Sequence, residues 1–221
     1  MTLDTKLPMM LLAFSTLAAG QGQGTMTLLV YNNTQGSVAT LAQAQLEAGR
    51  ILSVAGVRAV WLECLDRHSA GDPRGACNKV RGPADIVVRV LPGQGRNGYP
   101  DTVLGIAFPP TLASVYYEYV VRLAKSDNEV PVILGCAIAH EVGHLLLGRN
   151  SHSAAGIMHG EWGAEELRLA LMGALLFTSQ QSRVIRAEAR RRMSLQMGLF
   201  DEQRLPTVDQ QTEPKVDPQM D

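Results

Sequence analysis

His140-Glu141-Val142-Gly143-His144 is the segment of this chain whose residue types and spacing could do chemistry. On a helix, the two histidines stand at i and i+4, one turn apart on one face, where both imidazoles can hold one zinc ion. Glu141 then lies next to a water on that ion and can serve as its general base. Zinc chemistry of this kind lowers the pKa of the bound water towards 7 and polarises a carbonyl. Three protein ligands with one open position describe a catalytic zinc, so a third ligand must come from farther along the chain.

The surrounding sequence predicts the helix. Val132 to Leu147 has no proline and is apolar on nearly every side, the pattern of a buried helix. Pro131 suits its first turn and Gly148 its stop. Two histidines and a glutamate in such a helix need partners, because buried polar groups are costly when unpaired. The bland alternative, core histidines bonded to backbone carbonyls, leaves Glu141 with no partner. Gly143 costs about 1 kcal/mol relative to alanine in mid-helix, and predicts close approach of another segment.

The segment resembles the metzincin superfamily of zinc endopeptidases, with matrixins and archaemetzincins as the nearest comparison. The resemblance is carried by HEVGH, the glycine Gly148, the pair His152-Ser153 and Gly156-Ile157-Met158. The family pattern HExxHxxGxxH is lengthened here by two residues to HExxHxxxGxxxH. By this resemblance His140, His144 and His152 are the zinc ligands, and Met158 belongs to a Met-turn forming an apolar floor under the metal. His159, Glu161, Glu165 and Glu166 remain alternatives for the third place. A glutamate at 165 or 166 would match the gluzincin arrangement. Both acids also suit the start of a helix, where the macrodipole favours negative charge.

The elements that must position these residues read as α+β. Strands are expected at 27–31, 57–65, 84–91 and 102–108, and a helix capped by Ser37 runs to Val54. Residues 111–125 read as a helix, or as an edge strand over Ala113 to Tyr117. After Met158, helices are expected at 164–177 and 182–197. The order predicts a mixed, mainly parallel sheet of four to five strands, a backing helix, the HExxH helix, and a small helical C-terminal part. That order is also what the metzincin resemblance implies.

Composition bounds the rest. With 221 residues, 46% hydrophobic and 19% charged, one domain with a sizeable core is expected. It is read as 25–198, with a sheet-containing part at 25–148 and a Met-turn and helical part at 149–198. A net charge of −1 offers no electrostatic footprint for nucleic acid, and the run Arg186 to Arg192 reads as a solvated helix face. Lys6 followed by the apolar stretch Leu7 to Ala19 reads as a signal peptide over 1–20, too short to span a bilayer. The expected location is therefore secreted or periplasmic, with no membrane insertion after processing. Cys64 and Cys77 are candidates for a disulfide closing the polar loop between them. Cys136 reads as a small buried hydrophobe or an alternative ligand. Residues 199–221 read as a disordered tail. No phosphate loop, GxSxG or Cys₄ cluster occurs. The expected function is an exported zinc metallopeptidase, a monomer acting on peptide or protein. A catalytically inactive zinc-binding interaction protein is the alternative.

Overall fold

The computed structural model describes residues 23–64, 77, 82–93, 103–148 and 150–202. The expected signal peptide at 1–20 and all but the first residues of the expected tail lie outside them. Ten elements follow in order: β1 (Gly24–Asn32), α1 (Val38–Val54), β2 (Val57–Cys64), β3 (Asp85–Leu91), β4 (Gly105–Phe108), β5 (Leu112–Tyr116), α2 (Tyr117–Leu123), α3 (Val130–Leu147), α4 (Ala164–Leu171) and α5 (Ser179–Glu202). This is the α+β class expected. The strands form one five-stranded sheet in the order β2-β1-β3-β5-β4. Three pairings are parallel, and β4 alone runs antiparallel, against β5.

Alternation along β1 explains how the sheet divides its two faces. Met26, Leu28 and Val30 point into the main core, while Leu29 packs on the opposite face with Cys64 and Cys77. Those two cysteines are joined as a disulfide, with Cα atoms 5.8 Å apart. Ser37 caps α1 by accepting from the Thr40 amide at 3.0 Å, which satisfies one of the four unpaired donors at a helix start.

Helix α3 crosses the main core. Every residue from 130 to 147 is buried except Val132, His144 and Leu147. At 18 residues it is long and apolar enough to cross a membrane by length and composition, yet 83% of it is buried inside the protein. It packs on α1, where Gly135 allows contact: a Cβ there would stand 2.7 Å from the Ala44 carbonyl oxygen.

Several expectations need correction. Residues 112–116 are a strand, but an interior one between β3 and β4, and the edges of the sheet belong to β2 and β4. The helix then begins at Tyr117, so both readings of 111–125 hold in succession. The helix expected over 164–177 ends at Leu171, where Gly173 (φ 69°) turns the chain. Leu175 and Phe177 then pack into the core outside any helix or strand. Helix α5 starts at Ser179 and continues to Glu202, into the stretch assigned to the tail.

The Arg186 to Arg192 run is not wholly a solvated face. Arg192 is 6% exposed and donates to the carbonyls of Leu145 (2.6 Å) and Pro110 (2.9 Å). Glu188 supplies its counter-charge at 2.8 Å. Arg192 thereby satisfies a carbonyl at the C-terminal end of α3, one of those left over by the helix, and ties α5 to the site helix and the β4–β5 turn.

Candidate metal centre and cleft

Both histidines of the HExxH segment reach the same place because α3 holds them one turn apart. Gly148 (φ 92°) then ends the helix and Asn150 adopts a left-handed conformation (φ 57°), turning the chain back. The lengthened loop delivers His152 to the pair. The His144 Nε2 atom stands 3.0 Å from Nε2 of His140 and 3.1 Å from Nε2 of His152. Two nitrogens on a tetrahedral zinc, each about 2.0–2.1 Å from the ion, stand roughly 3.3 Å apart. The spacing of this trio is that of a metal site, and the three histidines could hold one ion.

The donor chemistry of the trio tests the same point. His140 Nδ1 lies 2.7 Å from the carbonyl oxygen of Ile157, which can only accept, so Nδ1 carries the proton and Nε2 a lone pair. His144 Nδ1 lies 2.8 Å from Ser151 Oγ. If Nδ1 of His144 donates there, its Nε2 is a second bare lone pair facing the first. If Nε2 carries the proton instead, it serves only one of its two neighbours. A shared cation relieves that conflict and a neutral trio does not. Desolvation holds both His140 and His144 down to about 4, so their lone pairs are free at neutral pH.

Glu141 is 5% exposed beside the trio, and its carboxyl faces the same cleft. Burial pushes it up to about 8. No hydrogen-bond partner reaches it among the described residues. Strand β4 passes directly over it at Gly105, where a Cβ would stand 2.7 Å from Glu141 Cγ. Only glycine fits between the β5 backbone and this carboxylate.

Met158 and Ile157 are fully buried, Met158 against Gly143 of α3 and Ile157 through its carbonyl oxygen at His140. Gly143 is the reason they fit: a Cβ there would lie 2.6 Å from Met158 Sδ and 2.7 Å from the Phe177 ring. The turn is fixed by Ser153 N–H donating to Met158 O (2.9 Å) and Ile157 N–H donating to Leu176 O (2.9 Å). Trp162 stands edge-on to His140 at 5.8 Å between ring centroids.

The other candidates are placed elsewhere. His159 points away to Glu166 at 2.8 Å. Glu166 also accepts from the Gly163 amide at 2.9 Å, and so caps α4. Glu165 pairs with Arg168 at 2.7 Å. Glu161 is exposed on the cleft wall. Cys136 is fully buried, and desolvation pushes its thiol up to about 12, with Glu47 on α1 adding in the same direction. It does not join the histidines.

The cleft occupies about 960 Å³ beside β4. Its walls are Leu104 and β4, the α3 face bearing His140, Glu141 and His144, the Gly160–Gly163 loop, and part of α2. Sequence reasoning passed over Ser151, Gly105, Trp162 and Arg122. Ser151 had a signal, a hydroxyl next to the third histidine. The others are brought in by long-range packing and had none.

The sequence matches no protein-family model and no curated protein. Among solved structures, the archaemetzincin of Methanopyrus kandleri is similar at 17% identity and a TM-score of 0.47, covering 76% of this chain and 97% of that one.

Proposed function

We propose that the protein is a zinc-dependent peptidase in which His140, His144 and His152 hold the metal and Glu141 is the general base. The observation that carries this is the convergence of three imidazole Nε2 atoms in a cleft, beside a buried carboxylate that has no hydrogen-bond partner among the described residues.

A bound zinc would activate a water and polarise the scissile carbonyl. The chain's own groups do the remainder. Glu141 takes a proton from the attacking water and later delivers it to the leaving amine, and a dication next to it favours the ionised carboxylate it needs first. Ile157 and Ser151 fix the two helix imidazoles with Nε2 turned towards the centre, the usual task of groups bonded to metal-binding histidines. Met158 packs below the imidazoles and closes the site to water from that side. β4 is an edge strand of the sheet among the described residues, and an extended peptide can add beside it as a further strand.

Export to an oxidising compartment belongs to the same proposal. Its supports are the apolar N-terminal stretch and the Cys64–Cys77 disulfide. The test is hydrolysis of an unstructured protein such as casein by the zinc-loaded chain. Activity is expected to vanish with a chelator and return with zinc. Glu141→Gln is expected to keep the metal and lose about 10²–10⁴-fold in rate. Full activity in that variant contradicts the role of Glu141. A loaded wild-type chain that cleaves nothing supports the zinc-binding interaction protein instead.

A further inference from the structure

Among the described residues lining the cleft, Arg122 is a cation that the proposed chemistry does not use. It lies near the end of α2, exposed, with its guanidinium 4.1 Å from the centroid of the Tyr119 ring. Tyr119 is itself set edge-on against Tyr116, with 5.9 Å between the centroids, and Tyr116 is 5% exposed. A buried tyrosine thus steadies a half-buried one, which steadies the arginine. Stacking of this kind occupies the face of a guanidinium and leaves its N–H fork open.

Among the described residues the fork has no carboxylate. Glu118, four residues earlier, is the natural partner on a helix. Its carboxylate instead lies over Gly93, where an added Cβ would stand 2.9 Å from Oε2. No other acid among the described residues pairs with Arg122. Leu104, Leu123 and Ala137 line the same cleft and are apolar. Arg122 thus lines the same cleft as Glu141 and the three histidines. Glu161 lines the Gly160–Gly163 wall and gives the cleft a second, opposite charge.

We infer that Arg122, held by Tyr119, forms a subsite for a carboxylate of the substrate, either an acidic side chain or a free C-terminus. This rests on the peptidase reading for its substrate class, while the charge recognition itself does not need turnover. A planar fork and a carboxylate match in geometry, so the pair selects acid over amide of equal size.

The test uses the zinc-loaded full chain and sets of fluorogenic peptides differing by one residue, Glu, Gln or Lys, moved through each position around the cleaved bond. Each peptide is made with a free and with an amidated C-terminus. At one position Glu should exceed Gln in kcat/KM by about five- to tenfold, with Lys last. If the C-terminus is the ligand, the free acid should exceed the amide instead. Arg122→Ala should level the ratio and Arg122→Glu should reverse it towards Lys. Fluorescence anisotropy of labelled peptides on zinc-loaded Glu141→Gln supplies the same ranking without hydrolysis. Equal values for acid and amide in both assays overturn the subsite, as does a preference that survives Arg122→Glu. A ranking in binding with no cleavage by the wild type removes the peptidase reading and leaves the subsite standing.

Discussion

Helix α3 makes two close contacts through glycine, and they serve different ends. At Gly135 the obstacle to a side chain is the Ala44 carbonyl and the Glu47 Cβ of α1. At Gly143 it is the Met158 sulfur and the Phe177 ring beneath the histidines. The first contact joins two regular helices in an inert core, where Cys136 sits with a thiol that desolvation pushes up to about 12. The second joins the helix to chain outside the regular elements, at Met158 and Phe177. Burial is similar in the two regions. What separates them is that the second brings three imidazole nitrogens together beside Glu141, an arrangement that could hold one ion.

The largest effect of disturbing one region alone is expected at Arg192. Its replacement by methionine leaves the Leu145 and Pro110 carbonyls without their donor and Glu188 without one of its arginines. A loss of about 3–5 kcal/mol is expected, as for breaking other buried charge pairs. Denaturant unfolding measures it, and a loss below about 1 kcal/mol, the scale of an exposed ion pair, would remove Arg192 as the tie between α5 and α3.

Adding one methyl at each glycine sharpens the comparison. Overpacking costs about 1–3 kcal/mol. Gly135→Ala should lie at the upper end because backbone blocks it, with zinc affinity close to wild type once the chain is folded. Gly143→Ala should cost less stability, since the Met158 thioether can shift, but should weaken zinc binding as the turn under the trio moves. Thermal unfolding and zinc competition titration read the two effects separately. Equal losses of zinc affinity in both variants would erase the distinction.

Ser151→Ala probes the loop alone. Removing a group that orients a metal-binding histidine typically costs about 10–100-fold in affinity, and the lower end, about tenfold, is expected here. Ser151→Thr should restore most of it if the hydroxyl keeps its place. Unchanged zinc affinity in the alanine variant would show that the 2.8 Å contact to His144 orients nothing.

The smallest effect is one of pH. Hydrogen bonds from Arg191 and then Arg192 hold the Glu188 carboxyl down to about 2, below its ordinary value of 4.5. A depressed folded-state pKa contributes stability above the unfolded value, and that contribution fades as pH falls from about 4.5 through 2. The difference in thermal midpoint between wild type and Glu188→Gln should therefore shrink across that window. A difference that stays constant would assign the stabilisation to something other than this charge.

Legibility in the sequence followed how local the cause was. The capped start of α1, the stop at Gly148, the pairing of His140 with His144 and the close approach at Gly143 depend on residues a few positions apart, and each was readable. The Cys64–Cys77 pairing was readable as a candidate because a turn-rich loop separates the two. The interior position of β5 was not, because strand order is decided by pairing between distant segments. Ala164 to Phe177 read as one helix because its apolar residues suit that period. The turn at Gly173 and the pull of the core on Leu175 and Phe177 overrode it. Arg192 looked like one more solvated cation, and only the fold supplies the two carbonyls it serves.

The most direct measurement of the central claim is zinc stoichiometry together with X-ray absorption at the zinc edge, on the wild type and on His152→Ala. The account predicts one zinc per chain, three imidazole nitrogens at about 2.0–2.1 Å, and loss of one of those nitrogens in the variant. A wild-type spectrum with two imidazoles and a protein carboxylate, or one that His152→Ala leaves unchanged, would contradict it.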